Sequence, residues 1–201
     1  MNLTMLLDMA VDGFGDRTVV GSRDLGISAA RLQELSVAGA AAIREAGADS
    51  VVYLAVNGPA FPVAMFSAAR AGVPLVPVNY RLGREQLDGL LANHPRALGI
   101  ADQAQSDALE RAGLKVFSPQ AWLQSLASSA NIELDEDDAV DTDAPAVVIY
   151  TSGTTSARRA SCFGMRTSRR MCSDRWSSHR PRRPMQRSSA FRRTTSRRSR
   201  T

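Results

Sequence analysis

Thr151, Ser152, Gly153, Thr154 and Thr155 are the residues whose types and spacing could do chemistry. Four hydroxyl residues and a glycine can turn sharply, let a ligand approach the backbone, and offer N–H and O–H donors to an anion. That is the donor set of a phosphate cradle. It is not a Walker loop, because neither GxxxxGKS nor GxxxxGKT occurs. Taken alone, the same string also reads as an ordinary turn. No catalytic residue or metal ligand is assigned elsewhere. His94, beside Pro95 at a helix end, reads as a surface or capping residue. His179, Cys162 and Cys172 lie in an arginine-rich stretch with no base placed to assist them.

A loop of this kind needs a rigid strand to present it, and Ala146 to Tyr150 (AVVIY) reads as a short buried one. Upstream, strands are expected at Ser50 to Val56, Val73 to Val78, Ala97 to Ala101 and Leu114 to Phe117. Helices are expected at Leu3 to Ala10, from the Ser28 cap to Ala46, and at Phe61 to Ala71, Arg84 to Asn93, Gln103 to Ala112 and Pro119 to Ala127. Thr18 to Val20 reads as a small strand pairing near Leu25 to Ile27, and Asp12 to Asp16 as a turn. The strands are apolar at successive positions and alternate with helices. This predicts an α/β fold, a mostly parallel sheet flanked by helices on both faces. Asn131 to Asp143 is an acidic, solvated linker without EF-hand spacing.

YTSGTTSA, Tyr150 to Ala157, resembles the phosphate-loop signature of the AMP-forming acyl-CoA synthetases, a family of adenylate-forming enzymes. In that family the signature continues Pro-Lys-Gly. VPLVPVNYRLGREQL, Val73 to Leu87, is similar to the family's Val-Pro-Val-Asn-Tyr-Arg-Leu segment. The resemblance covers residues 1–157 and implies part of the large N-terminal domain of such an enzyme. It implies ATP and Mg²⁺ as cofactors, and a carboxylic (fatty) acid and CoA as substrates. Thr151, Ser152, Gly153, Thr154 and Thr155 carry over as phosphate-loop contacts. The family's adenine-side and ribose-binding segments and its C-terminal catalytic lysine have no counterpart in the 201 residues.

After Ala157 the family pattern gives way to Arg158, Arg159 and Ala160. Residues 1–157 hold nine Arg and one Lys against 19 acidic residues, a net of −9. Residues 158–201 hold 15 Arg against Asp174 alone, a net of +14, so the overall +5 describes neither part. The tail lacks helical or strand periodicity and enough apolar residues for a core, which predicts a disordered basic extension. A genuine tail of this composition would suit nucleic-acid phosphates, with Phe163, Trp176 or Phe191 stacking on bases.

A one-base shift explains more. RRASCFGMR, Arg158 to Arg166, is what codons for Pro-Lys-Gly-Val-Val-Leu-Arg-His-Glu give when read one base late. MQRSSAFRRTTS, Met185 to Ser196, restores in the same way to Asp-Ala-Ala-Leu-Val-Ser-Val-Pro-Pro-Tyr-His-Ile, similar to the family's next motif. The favoured reading is therefore a truncated, catalytically inactive ligase remnant with an out-of-frame tail. The body contains no cysteine, so no disulfide framework is implied, which suits a reducing cytoplasm. The N-terminal MNLTMLLDMAVDGF lacks a basic leader, and no apolar run reaches the ~20 residues of a membrane span.

Overall fold

Strands that are apolar at successive positions must be covered on both faces, and the sheet is built that way. The structure, a computed structural model, describes residues 3–24, 26–128 and 145–150 in full, and the backbone of residues 151, 159–164 and 169–171. The chain runs α1 (Leu3–Phe14), β1 (Thr18–Val20), β2 (Ile27–Ser28), α2 (Ala29–Glu45), β3 (Ser50–Leu54), α3 (Ala60–Ala71), β4 (Leu75–Pro77), α4 (Arg84–Leu91) and β5 (Ala97–Ala101). It continues through α5 (Gln103–Arg111), β6 (Lys115–Phe117), α6 (Pro119–Ala127), β7 (Pro145–Thr151), β8 (Arg159–Gly164) and β9 (Arg169–Met171).

The main sheet has the order β6-β5-β3-β4-β7-β8-β9. Its first five strands are parallel, with Ser50 opposite Ala97, Val51 opposite Leu75, Leu98 opposite Lys115 and Leu75 opposite Val147. β8 and β9 join antiparallel. Along β3, Val51 and Tyr53 pack with Leu7, Leu32, Leu35, Val63 and Trp122 from α1, α2, α3 and α6. Val52 and Leu54 point to the other face, where Leu87, Leu90 and Leu91 of α4 and Leu109 of α5 cover them. The alternating direction of strand side chains thus feeds two separate cores.

Local signals set the helix ends. Ser28 Oγ accepts from the Arg31 N–H at 3.2 Å, and Ser118 Oγ accepts from the Ala121 N–H at 3.0 Å, each capping a helix. Gly72 ends α3 with φ 75°, the left-handed conformation that favours glycine. Gly39 serves close packing instead: a Cβ there would run into the Ser67 side chain, so α2 and α3 meet through it. α1 extends through Phe14, where sequence places a turn at Asp12 to Asp16. Val11, partly buried, packs one turn beyond Leu7 and extends the apolar face, which offsets the cost of Gly13 within the helix.

Residues 158–201 read from sequence as lacking strands, yet β8 and β9 lie within them. Pairing of β8 to the edge of β7 uses backbone groups and requires no apolar periodicity, so composition did not reveal it. The rest of that tail, with Trp176, His179 and Cys172, lies outside the described residues, as does the 131–143 linker. β7 is interior to the sheet, with Ala146 and Val148 buried and Ile149 exposed.

Candidate phosphate loop and its support

β7 ends at Thr151, and β8 begins at Arg159 directly opposite it. The two residues close a hairpin whose loop is residues 152–158. That loop leaves β7 at the carboxyl end of the parallel strands, the end of an α/β sheet where ligands bind. Thr151 therefore stands at the loop's mouth, while Ser152, Gly153, Thr154 and Thr155 lie outside the described residues. Between Pro145 and Met171 the sequence contains no carboxylate. Hydroxyls, backbone amides and arginines make a donor-rich set without a carboxylate, which fits a phosphate chain and offers a metal ion no acidic ligand.

The support beneath the loop includes groups that sequence alone misplaced. His94 is 2% exposed, so it is a core residue and not the surface or capping residue expected. The chain leaves α4 through the His94 N–H bonded to the Leu91 carbonyl at 2.8 Å, turns at Pro95, and enters β5. The imidazole is thereby directed inward, toward Ser50 at the start of β3 and Tyr150 of β7. Its Nδ1 lies 3.3 Å from Ser50 Oγ, and its Nε2 lies 2.9 Å from the Tyr150 hydroxyl. The His94 and Tyr150 rings meet edge to face, 5.9 Å between centroids. Ser50 Oγ in turn donates to Asp49 Oδ1 at 3.2 Å, and Arg96 Nε donates to Asp49 Oδ2 at 3.1 Å. An HP dipeptide after a helix carries no signal for this burial. It follows from where β5 starts.

Burial holds the His94 imidazole below its ordinary value of 6.5, against the smaller opposing pull of the Asp49 carboxylate. Burial raises the Tyr150 phenol, with the Asn93 side chain opposing. Unfolded, His94 takes up its proton near 6.5; folded, it does so only at lower pH. Between these two values the unfolded chain binds more protons, so stability rises with pH. The contribution is full above about 6.5 and is lost as pH falls toward the folded value. The expected result is a melting temperature that drops between pH 7 and 5, with a shallower drop in His94→Gln. Equal slopes for the two proteins would contradict it.

A second anchor sits past the carboxyl ends of β3 and β5. Asp102, just past β5, occupies the N-cap position of α5 but makes no side-chain cap. Its Oδ2 instead accepts from the Val56 N–H at 2.8 Å, and the Tyr53 hydroxyl donates to the Val56 carbonyl at 3.2 Å. Together they pin the β3–α3 turn. Among the described residues no group of three or more His, Cys, Asp or Glu could hold a metal ion.

A five-stranded parallel sheet flanked by helices matches the N-terminal domain of adenylate-forming enzymes. A model of the AMP-binding enzyme family matches residues 7–173, and the chain belongs to that family. The match runs past Ala157, where the resemblance read from the sequence ends, and takes in β8 and β9. Indoleacetate–CoA ligase of Aromatoleum aromaticum is 29% identical over 153 residues, covering 69% of this chain and 30% of the relative. Feruloyl-CoA synthase of an Amycolatopsis species is 32% identical over 109 residues, covering 53% of this chain and 21% of the relative. The chain thus spans less than a third of the length of these relatives. Among solved structures, a Mycobacterium tuberculosis fatty acyl CoA synthetase superposes with a TM-score of 0.66 at 18% identity, over 82% of this chain and 34% of that one. A benzoate CoA ligase of Burkholderia xenovorans LB400 gives 0.66 at 20% identity, over 82% and 35%. These two likenesses bear on the fold. Among the described residues no helix is long and apolar enough to cross a membrane.

Proposed function

We propose that this chain is the remnant of an AMP-forming acyl-CoA ligase whose reading frame breaks after Ala157, and that it does not itself complete an adenylation. The observation that supports the reading is β7, which runs parallel to β4 and ends at Thr151, the second residue of YTSGTT, in a chain of the AMP-binding family. In the unbroken enzyme ATP and a carboxylic acid would give an acyl-adenylate, and CoA would then take the acyl group. Thr151, Ser152, Gly153, Thr154 and Thr155 would hold the ATP phosphates through hydroxyls and backbone amides. Mg²⁺ would neutralise phosphate charge, its ligands coming from the nucleotide and from residues outside this loop.

Several features support loss of activity. Arg158, Arg159 and Ala160 stand where the family has Pro-Lys-Gly. Arginine does not replace a phosphate-binding lysine, because its planar fork demands a different geometry. ATP is held, but not productively. The names of the relatives, with indoleacetate, feruloyl, benzoate and fatty acyl among them, set the acids to try. Purified chain given ATP, Mg²⁺, CoA and these four acid types is expected to form no acyl-adenylate and no acyl-CoA above the protein-free blank. Turnover of any one acid would overturn the proposal.

A further inference from the structure

β7 is attached to the parallel sheet by little backbone pairing. β3 pairs with β5 at five positions and with β4 at three, but β4 meets β7 only at Leu75 opposite Val147. Beyond Val147 the strand is held on its far side by β8 and on one face by the burial of Val148. A further tie from its carboxyl-terminal half back to the rest of the sheet is the Tyr150 hydroxyl, 2.9 Å from His94 Nε2 and also bonded by the Asn93 side chain. Tyr150 is covalently next to Thr151, where the phosphate loop begins.

The direction of each bond in this chain follows from proton counts. Ser50 has one hydroxyl proton and gives it to Asp49, whose other oxygen is occupied by Arg96. The Ser50 oxygen must then accept from His94, which places the ring proton on Nδ1. Nε2 is left as an acceptor, and the Tyr150 O–H donates to it. With the ring neutral and in that tautomer each bond of the chain carries one proton, the Asn93 side chain adding a further bond to the Tyr150 hydroxyl, and such a buried, directed chain is a rigid connection.

We infer that His94 is a positioning residue, and that the chain Tyr150–His94–Ser50–Asp49 fixes the end of β7 and so sets where the phosphate loop starts. The role rests on the phosphate-loop reading proposed above. It adds residues from β3 and from the α4–β5 turn, outside the loop motif.

Tyr150→Phe removes one hydroxyl and keeps the ring, whereas His94→Gln retains an acceptor for that hydroxyl. Two readouts on the intact chain separate the possibilities. One is amide exchange at Ile149, Tyr150 and Thr151; the other is titration with Mg-ATP, followed by the amide shifts of residues 151–155. Tyr150→Phe is expected to speed exchange at these three amides about fivefold, the size of one neutral hydrogen bond, with β3 and β5 unchanged. Its ATP affinity should fall by a similar factor, whereas His94→Gln, which keeps the hydroxyl and an acceptor for it, should retain most of the wild-type protection and affinity. Unchanged exchange, or faster exchange with unchanged ATP affinity, would overturn the role. If ATP shifts nothing in the wild-type chain, the phosphate-loop reading has failed, and the exchange readout alone decides the positioning of β7. Should Tyr150→Phe not fold, ¹⁵N spectra of the wild-type His94 ring decide. Protonated Nδ1 with Nε2 as acceptor at pH 7 supports the role, and the opposite tautomer or a charged ring overturns it.

Discussion

Reinserting one base at the Ala157 codon, with the downstream coding DNA in place, is expected to yield a chain that forms acyl-CoA, where the chain as it stands is expected to form none. On the frameshift reading proposed above, the change would replace Arg158, Arg159 and Ala160 by Pro-Lys-Gly and continue the family pattern beyond. Adenylate formation depends on charge neutralisation and positioning around the phosphates. Removing a single preorganised contact of that kind costs on the order of 10²–10³ in rate. Restoring the lysine together with the adenine, ribose and catalytic segments should therefore exceed that factor. The contrast lies in a smaller change. Arg158→Pro, Arg159→Lys and Ala160→Gly together, made in the chain as it stands, are expected to leave it inactive, because the loop alone lacks the rest of the site. Activity in the triple variant would show that the catalytic parts lie within residues 1–201.

Trp122→Ala is the substitution expected to cost the body most stability. Trp122 is fully buried on α6, meets Phe117 of β6 edge to face at 5.7 Å, and lies in the same core as Leu32 and Val51. Its Nε1 has no hydrogen-bond partner in the structure, so the loss is one of packing. Truncating a buried tryptophan costs about 3–5 kcal/mol, a large share of the 5–15 kcal/mol typical of a domain. The midpoint of urea unfolding should fall accordingly, or the variant should already be unfolded without urea. A midpoint within the error of the wild-type value would show that α6 is not part of the folded core.

The parallel sheet was legible because its signals are local and redundant. SVVYL of β3 and ALGIA of β5 are apolar at every position or nearly so, while Ser28, Ser118 and Gly72 mark helix ends by chemistry that acts within one turn. The loop was legible because a glycine among hydroxyls directly after a strand is a short-range pattern. What escaped depended on distant partners. His94 is buried by Ser50 and Tyr150, which lie 44 and 56 residues away. Asp102 looks like a helix cap, yet its carboxylate is taken by the Val56 N–H, 46 residues back. β8 forms in a stretch of arginines because β7 presents an edge to it. For His94 and Asp102 a long-range hydrogen bond outweighed a local preference, and for β8 backbone pairing across a hairpin did so.

Sequencing the coding DNA from the Ala157 codon to well past the Thr201 codon, and translating the neighbouring frame, tests the account most directly. The predicted result is a frame that opens with Pro-Lys-Gly and runs through a tyrosine-glycine-threonine-glutamate segment to a C-terminal lysine motif. A neighbouring frame that closes at once, or that encodes nothing like an AMP-binding enzyme, would contradict it and make the arginine-rich tail a genuine part of the protein.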